Sequence, residues 1–193
     1  MSTENQVKKD FWMKELGSKD RTAQGQAIQE LAIIGEVAVP GLLELLEKGE
    51  WQVRNQAAVA LGAIGPPAAS ATSALMAALQ DVDKYLRGHA AASLGQIGRD
   101  AKAVVPALTN ALKDKEEDVR RNAAVALGCF GPVAKDAFSA PTELLNDEHR
   151  VVRKQAARSL KAIDAKAAAP YFSLWSCLSR WFGGKTSVRV TRS

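Results

Sequence analysis

Apolar and polar positions follow a helical rhythm along this chain, and the rhythm is written more than once. In "VRNQAAVALGAIG", residues 53–65, Val53, Ala57, Ala60, Leu61 and Ile64 share one helical face, with Ala58 at its edge. Arg54, Asn55, Gln56 and Val59 fall elsewhere. The text returns as "LRGHAAASLGQIG" at 86–98, as "VRRNAAVALGCFG" at 119–131 and, eroded, as "VRKQAARSLKAID" at 152–164. Arg54, Arg87, Arg120 and Arg153 are spaced by 33 residues. A fixed period of this length marks a solenoid, in which one unit cannot cover its own apolar face. Gly65, Gly98 and Gly131 stand where these helices should stop, and Pro66 and Pro132 follow two of them.

A second, shorter set of helices is predicted between the long ones: "VPGLLELLEKG" at 39–49, "SATSALMAALQD" at 70–81, "VVPALTNALKD" at 104–114 and "SAPTELLND" at 139–147. Leu42, Leu75, Leu108 and Pro141 form one column, and Leu46, Leu79, Leu112 and Leu145 another. The unit is a helical hairpin, short helix then long. "AIQELAIIG" at 27–35 matches "AAVALGAIG" at 57–65 with an offset of 30, so the first connection is three residues shorter and Arg21 is not equivalent to Arg54. Upstream, "TENQVKKDFWMKELG" reads as a capping helix with Val7, Phe11, Trp12 and Leu16 on its apolar side. The predicted fold class is all-α: an α-solenoid of about five stacked antiparallel hairpins in one domain, 1–182. The hairpins are 4–35, 40–65, 70–98, 103–131 and 139–164.

The end of the chain breaks the pattern. "PYFSLWSCLSRWFGG" holds five of the eleven aromatic residues, and Leu174 and Leu178 lie two periods after Leu108 and Leu112. A helix over 170–182 is expected at the place of a sixth short helix. It serves as a cap, as a docking surface through Phe172, Trp175 and Trp181 for a partner or a second copy of the chain, or as an interfacial membrane contact. The basic stretch 183–193 is expected to be disordered.

Composition narrows the function. The chain is 47% hydrophobic and only 6% aromatic, so Ala, Leu, Val and Ile must build the core. A net charge of +5, with both signs interspersed, is weak for a nucleic-acid binder. Cys129 and Cys177 lack CxxC spacing, and the amino terminus has no apolar signal core; both favour a reducing, cytoplasmic setting. No apolar run is long enough for a transmembrane segment.

The hairpin pattern over roughly residues 20–165 resembles the HEAT repeat family, in the short, glycine-punctuated form found in phycobilisome lyases. The resemblance rests on a shared spacing: Asp81 to Arg87, Asp114 to Arg120 and Asp147 to Arg153 are each six apart. It implies a hydrogen-bonded ladder of these six residues between neighbouring hairpins, in which an Arg fork held by carboxylates fixes register. Lys48 replaces the Asp six before Arg54, so the ladder is expected to be incomplete there.

Catalytic signatures are missing from the sequence. It holds no GxxxxGK[ST], GxSxG or HExxH, and its two histidines, His89 and His149, lack a second ligand at helical spacing. Neither a cofactor nor a metal is expected, and Cys129 reads as a small packed thiol. In solenoids of this kind the long helices line the concave side. Their variable columns here are Asn55, Gly88, Arg121, Lys154; Gln56, His89, Asn122, Gln155; and Val59, Ala92, Val125, Arg158. The expectation is a non-catalytic scaffold for protein–protein interaction. Its partner, an acidic segment or helix, would meet Asn55, Gln56, His89, Arg121, Asn122, Lys154 and Arg158. The alternatives are nucleic-acid binding through a basic concave patch and, by resemblance alone, a bilin lyase-like subunit.

Overall fold

The computed structural model describes residues 3–171. Among the described residues, ten α-helices precede a further helical stretch that begins at 165: α1 Thr3–Glu15, α2 Arg21–Ile34, α3 Val39–Lys48, α4 Trp51–Ile64, α5 Thr72–Ala78, α6 Lys84–Ile97, α7 Ala101–Ala111, α8 Glu117–Phe130, α9 Ser139–Glu143 and α10 Arg150–Ile163. Each odd-numbered helix packs on the even-numbered helix after it, and α2, α4, α6, α8 and α10 stack as a row. The result is an α-solenoid of helical hairpins.

The row is tight because its contact positions are small. Ala57, Ala58, Ala60, Ala90, Ala91, Ala123, Ala124 and Ala126 are fully buried between leucines of the two layers. A Cβ added to Gly95 would stand 2.6 Å from Ala126 Cα, so this helix pair admits only glycine at its closest approach. Ser93 and Ser159 donate hydroxyl hydrogen bonds to the carbonyls of Ala58 and Ala124 in the preceding hairpins, at 2.7 and 2.5 Å. The long helices α4 and α8 end at Gly65 and Gly131, with φ of 72° and 55°. The eroded copy has Asp164 instead, in extended conformation. Its carboxylate accepts from the amides of Lys166 and Ala167, opening a helical stretch that is already under way at 165.

Three sequence expectations need correction. Val7 and Phe11 are exposed, and α1 leans on the array through Trp12, Met13 and the fully buried Leu16. Cys129 is exposed rather than packed, because the position it shares with Ala63 and Gln96 points away from the row. The helix after α10 starts ahead of 170; the aromatic cap beyond Tyr171, with Phe172, Trp175, Trp181 and the tail 183–193, lies outside the described residues.

Candidate binding groove

One edge of the row is laced by arginines. Arg87 donates through Nε and Nη2 to both oxygens of Asp114, at 2.7 and 3.0 Å, and through Nη1 to the carbonyls of Asp81 and Val82. Arg120 repeats this one hairpin later, with Asp147 at 2.7 and 3.1 Å and the carbonyls of Asp114 and Lys115. Each guanidinium therefore closes its own inter-helix loop and grips the carboxylate of the next hairpin. Both arginines are buried, at 7% and 8% exposure. Burial pushes the Asp114 and Asp147 carboxyls up, but the arginine hydrogen bonds and charges, with backbone amide donors, hold both below the ordinary carboxylate value.

Arg54 keeps its rung despite Lys48, and the gap falls one junction earlier. Arg54 Nη2 reaches Asp81 at 2.6 Å, and its Nε reaches the carbonyl of Leu46. The six-residue spacing relates an arginine to its own loop carbonyl; its carboxylate partner lies 27 residues ahead. Lys48 thus deprives the preceding hairpin of a rung, not Arg54. With the offset of 30, the residue at the arginine's place in that hairpin is Gln24, whose amide donates to the carbonyl of Ser18 at 2.7 Å. Acid and base are lost together at that junction. Arg153 grips the carbonyls of Asp147 and Glu148, and the place 27 residues ahead falls outside the described residues.

The face beside this edge carries a groove of about 790 Å³ between α2, α4 and α6, lined by Lys19, Arg21, Trp51, Asn55, Tyr85 and His89 among others. A smaller hollow of about 160 Å³ continues it past Tyr85 and His89 to Arg121 and Asn122. Asp83 braces two of the lining residues that form the groove's wall. Its Oδ1 caps α6 by accepting from the Tyr85 amide at 3.0 Å, and its Oδ2 accepts from Asn55 Nδ2 at 2.7 Å. Its own amide donates to Asp81, which joins this wall to the arginine ladder. His89 is half-buried; burial lowers its pKa, opposed by the charge of Asp83.

The expected partner-facing residues separate into four groups. Gln56 and His89 line the groove. Asn55 also lines it but is 5% exposed, with its amide nitrogen committed to Asp83; Asn122 lines the smaller hollow and donates to the carbonyl of Gly88 at 3.0 Å, so both asparagines also tie hairpins together. Arg121 is taken up by Asp118 of its own helix at 2.9 Å. Lys154 and Arg158 are exposed on α10 and make no ion pair among the described residues. Sequence reasoning passed over Trp51, Tyr85, Lys19 and Arg21. Trp51 and Tyr85 stand at neighbouring, not equivalent, repeat positions, so no column shows them; Lys19 and Arg21 lie in the hairpin whose register is shifted. Among the described residues no group of three or more His, Cys, Asp or Glu could hold a metal ion, and no helix could cross a membrane.

A family model described as HEAT repeats matches residues 10–72, 72–139 and 105–173. No curated protein matches the chain in sequence. Among solved structures, the complex of CpcE and CpcF of phycocyanin lyase from Nostoc sp. PCC7120 matches with a TM-score of 0.71 and 24% identity, over 79% of this chain and 98% of that one. A designed armadillo repeat protein in complex with the peptide (KR)4 matches with a TM-score of 0.61 and 18% identity, over 96% and 94%. Kap121p matches with a TM-score of 0.68 and 18% identity, over 91% of this chain and 22% of that one. At these identities the likeness is one of fold.

Proposed function

The chain belongs to the HEAT-repeat family, and from that premise we propose that it is a non-catalytic scaffold that holds a protein partner against the face of its long helices. The observation that carries this is the division of labour within each long helix. Core-facing positions repeat as Ala and Leu, while the columns beside them change from Asn55 to Gly88, Arg121 and Lys154. Such a face is preformed, so binding does not have to order it. Lys154 and Arg158, exposed and without an ion pair among the described residues, suit an acidic segment or helix.

Nucleic acid is the weaker reading because the groove wall carries Glu116 and Asp118, which repel phosphate. The bilin lyase reading rests on likeness of fold alone. The test is capture of partners on the full chain and on Lys154→Glu/Arg158→Glu. Loss of the captured protein at an unchanged melting temperature is expected; equal capture by the variant contradicts the assignment.

A further inference from the structure

We propose that the amino-terminal part of the groove is a docking site for an acidic, extended peptide segment of the partner. An apolar side chain of the segment sits on Trp51 and Tyr85, its carboxylates meet Lys19 and Arg21, and a backbone amide donates to Asn55. This deepens the protein-binding reading above and rests on it.

Four observations converge on this stretch. The groove's volume of about 790 Å³ lies within the range of about 300–1,000 Å³ typical of ligand sites. Two large rings line it while remaining mostly in water: Trp51 is 59% exposed and Tyr85 57%. Both stand in the first turn of their helices, α4 and α6, and open onto the same space. Trp and Tyr combine broad apolar faces with few rotors, which makes them anchors where a chain docks.

Charge then selects the occupant. Lys19 and Arg21 line the same groove, are exposed, and make no ion pair among the described residues. The nearby carboxylate of Asp20 is turned to the amide of Thr22 at 2.8 Å. Further along, the charges cancel within the chain: Lys84 meets Glu116 at 3.3 Å and Arg121 meets Asp118 at 2.9 Å. Of the cations that line the groove and the hollow, those with no ion pair among the described residues stand at the amino-terminal end. A nucleic-acid strand leaving Lys19 and Arg21 would run past Asp83, Glu116 and Asp118, whereas a peptide can place its carboxylates at one end only.

Asn55 supplies the last element. Its Nδ2 is fixed by Asp83, and flipping the amide would set two oxygens against each other, so the orientation is determined. Its Oδ1 is then a buried acceptor with no partner among the described residues. Such an acceptor is destabilising until a donor arrives, and an extended peptide presents backbone N–H groups at regular intervals. The oxygen is shielded from water in the free chain, so docking includes parting the side chains above it.

The test uses fluorescence anisotropy on the full chain with three labelled probes: the decapeptide (Glu-Leu)5, its counterpart (Lys-Leu)5 and a ten-nucleotide poly-uridine. Saturable binding of (Glu-Leu)5 alone is expected, weakened about tenfold by Lys19→Glu/Arg21→Glu and about fivefold by Trp51→Ala. Lys154→Glu/Arg158→Glu should change it less than about twofold. Four outcomes overturn the proposal: no binding of (Glu-Leu)5 up to about 1 mM, equal binding of (Lys-Leu)5, binding of the oligonucleotide, or indifference to Trp51→Ala. Loss of binding only in Lys154→Glu/Arg158→Glu would move the site to the carboxy-terminal helices and leave the scaffold reading standing. Binding of no peptide, together with no captured protein, would remove both.

Discussion

Arg120 and Arg121 are neighbours in the chain and belong to different regions of the molecule. Arg120 sits on the ladder edge, buried, bonded to both oxygens of Asp147 and to two carbonyls. Arg121 looks onto the groove face and meets one carboxylate of its own helix, with its side chain 40% exposed and that of Asp118 62%. The same chemical group fixes the stacking of hairpins in one region and decorates a surface in the other. The difference comes from the helical turn of about 100° between consecutive residues, and from what lies opposite: a loop carboxylate on one side, open groove on the other. The ladder contacts and the surface proposed for recognition therefore occupy adjacent columns of one repeat, and either can be changed separately.

The largest effect should come from cutting a rung. Arg87→Ala strands the Asp114 carboxylate and two loop carbonyls, and should cost about 3 kcal/mol, which for a domain of this size lowers Tm by roughly 10 °C. Arg121→Ala, measured in the same denaturation series, should cost no more than about 0.5 kcal/mol. Equal losses would erase the distinction between the two regions. Next comes the spacing of the row: Gly95→Ala drives a methyl group into Ala126 and should destabilise by about 2 kcal/mol. Gly25→Ala, in α2 with nothing within 4 Å, should instead stabilise by about 0.5 kcal/mol. A gain in both would mean that α6 and α8 do not approach as described.

Acid should lower stability through the ladder edge. For Asp81, Asp114 and Asp147, burial pushes the carboxyl up, but the arginines and backbone amides outweigh it and hold the folded values low. The unfolded chain then takes up protons more readily. This stabilisation is complete above the ordinary Asp value of about 3.9 and is lost as pH falls through the lower folded values. Thermal melts across that range should show the loss in the parent chain and a shallower one in Arg87→Ala; equal slopes would separate the carboxyls from the ladder. The smallest effect belongs to the exposed cations of α10, where Lys154→Glu/Arg158→Glu should change stability by less than about 0.5 kcal/mol while partner capture falls.

Much of the ladder edge was legible because its constraint repeats. The 33-residue period, the buried alanines of the long helices and the Asp–Arg pairing all recur, and a recurring residue type marks a recurring environment. What the text did not show was direction. The six-residue spacing sets each arginine over its own loop carbonyls, and the stacked geometry adds the direction of the expected ladder: the carboxylate comes from the hairpin that follows. The same geometry accounts for Gln24, which takes the arginine's place in the first hairpin and donates to its own loop carbonyl at Ser18. The groove was legible only in part for the opposite reason: recognition surfaces vary by position. Asn55 looked like a free amide and is locked to Asp83. Trp51 and Tyr85 share a space without sharing a column.

The central claim is that hairpins are held in register by inter-hairpin arginine–aspartate rungs, and a double-mutant cycle on Arg87 and Asp114 tests it most directly. Denaturant unfolding of Arg87→Ala, Asp114→Ala and the pair should give a coupling energy of about 2 kcal/mol, with the double variant far less destabilised than the sum of the singles. Additive losses, agreeing to within about 0.3 kcal/mol, would show that the two side chains do not act on each other and would contradict the claim.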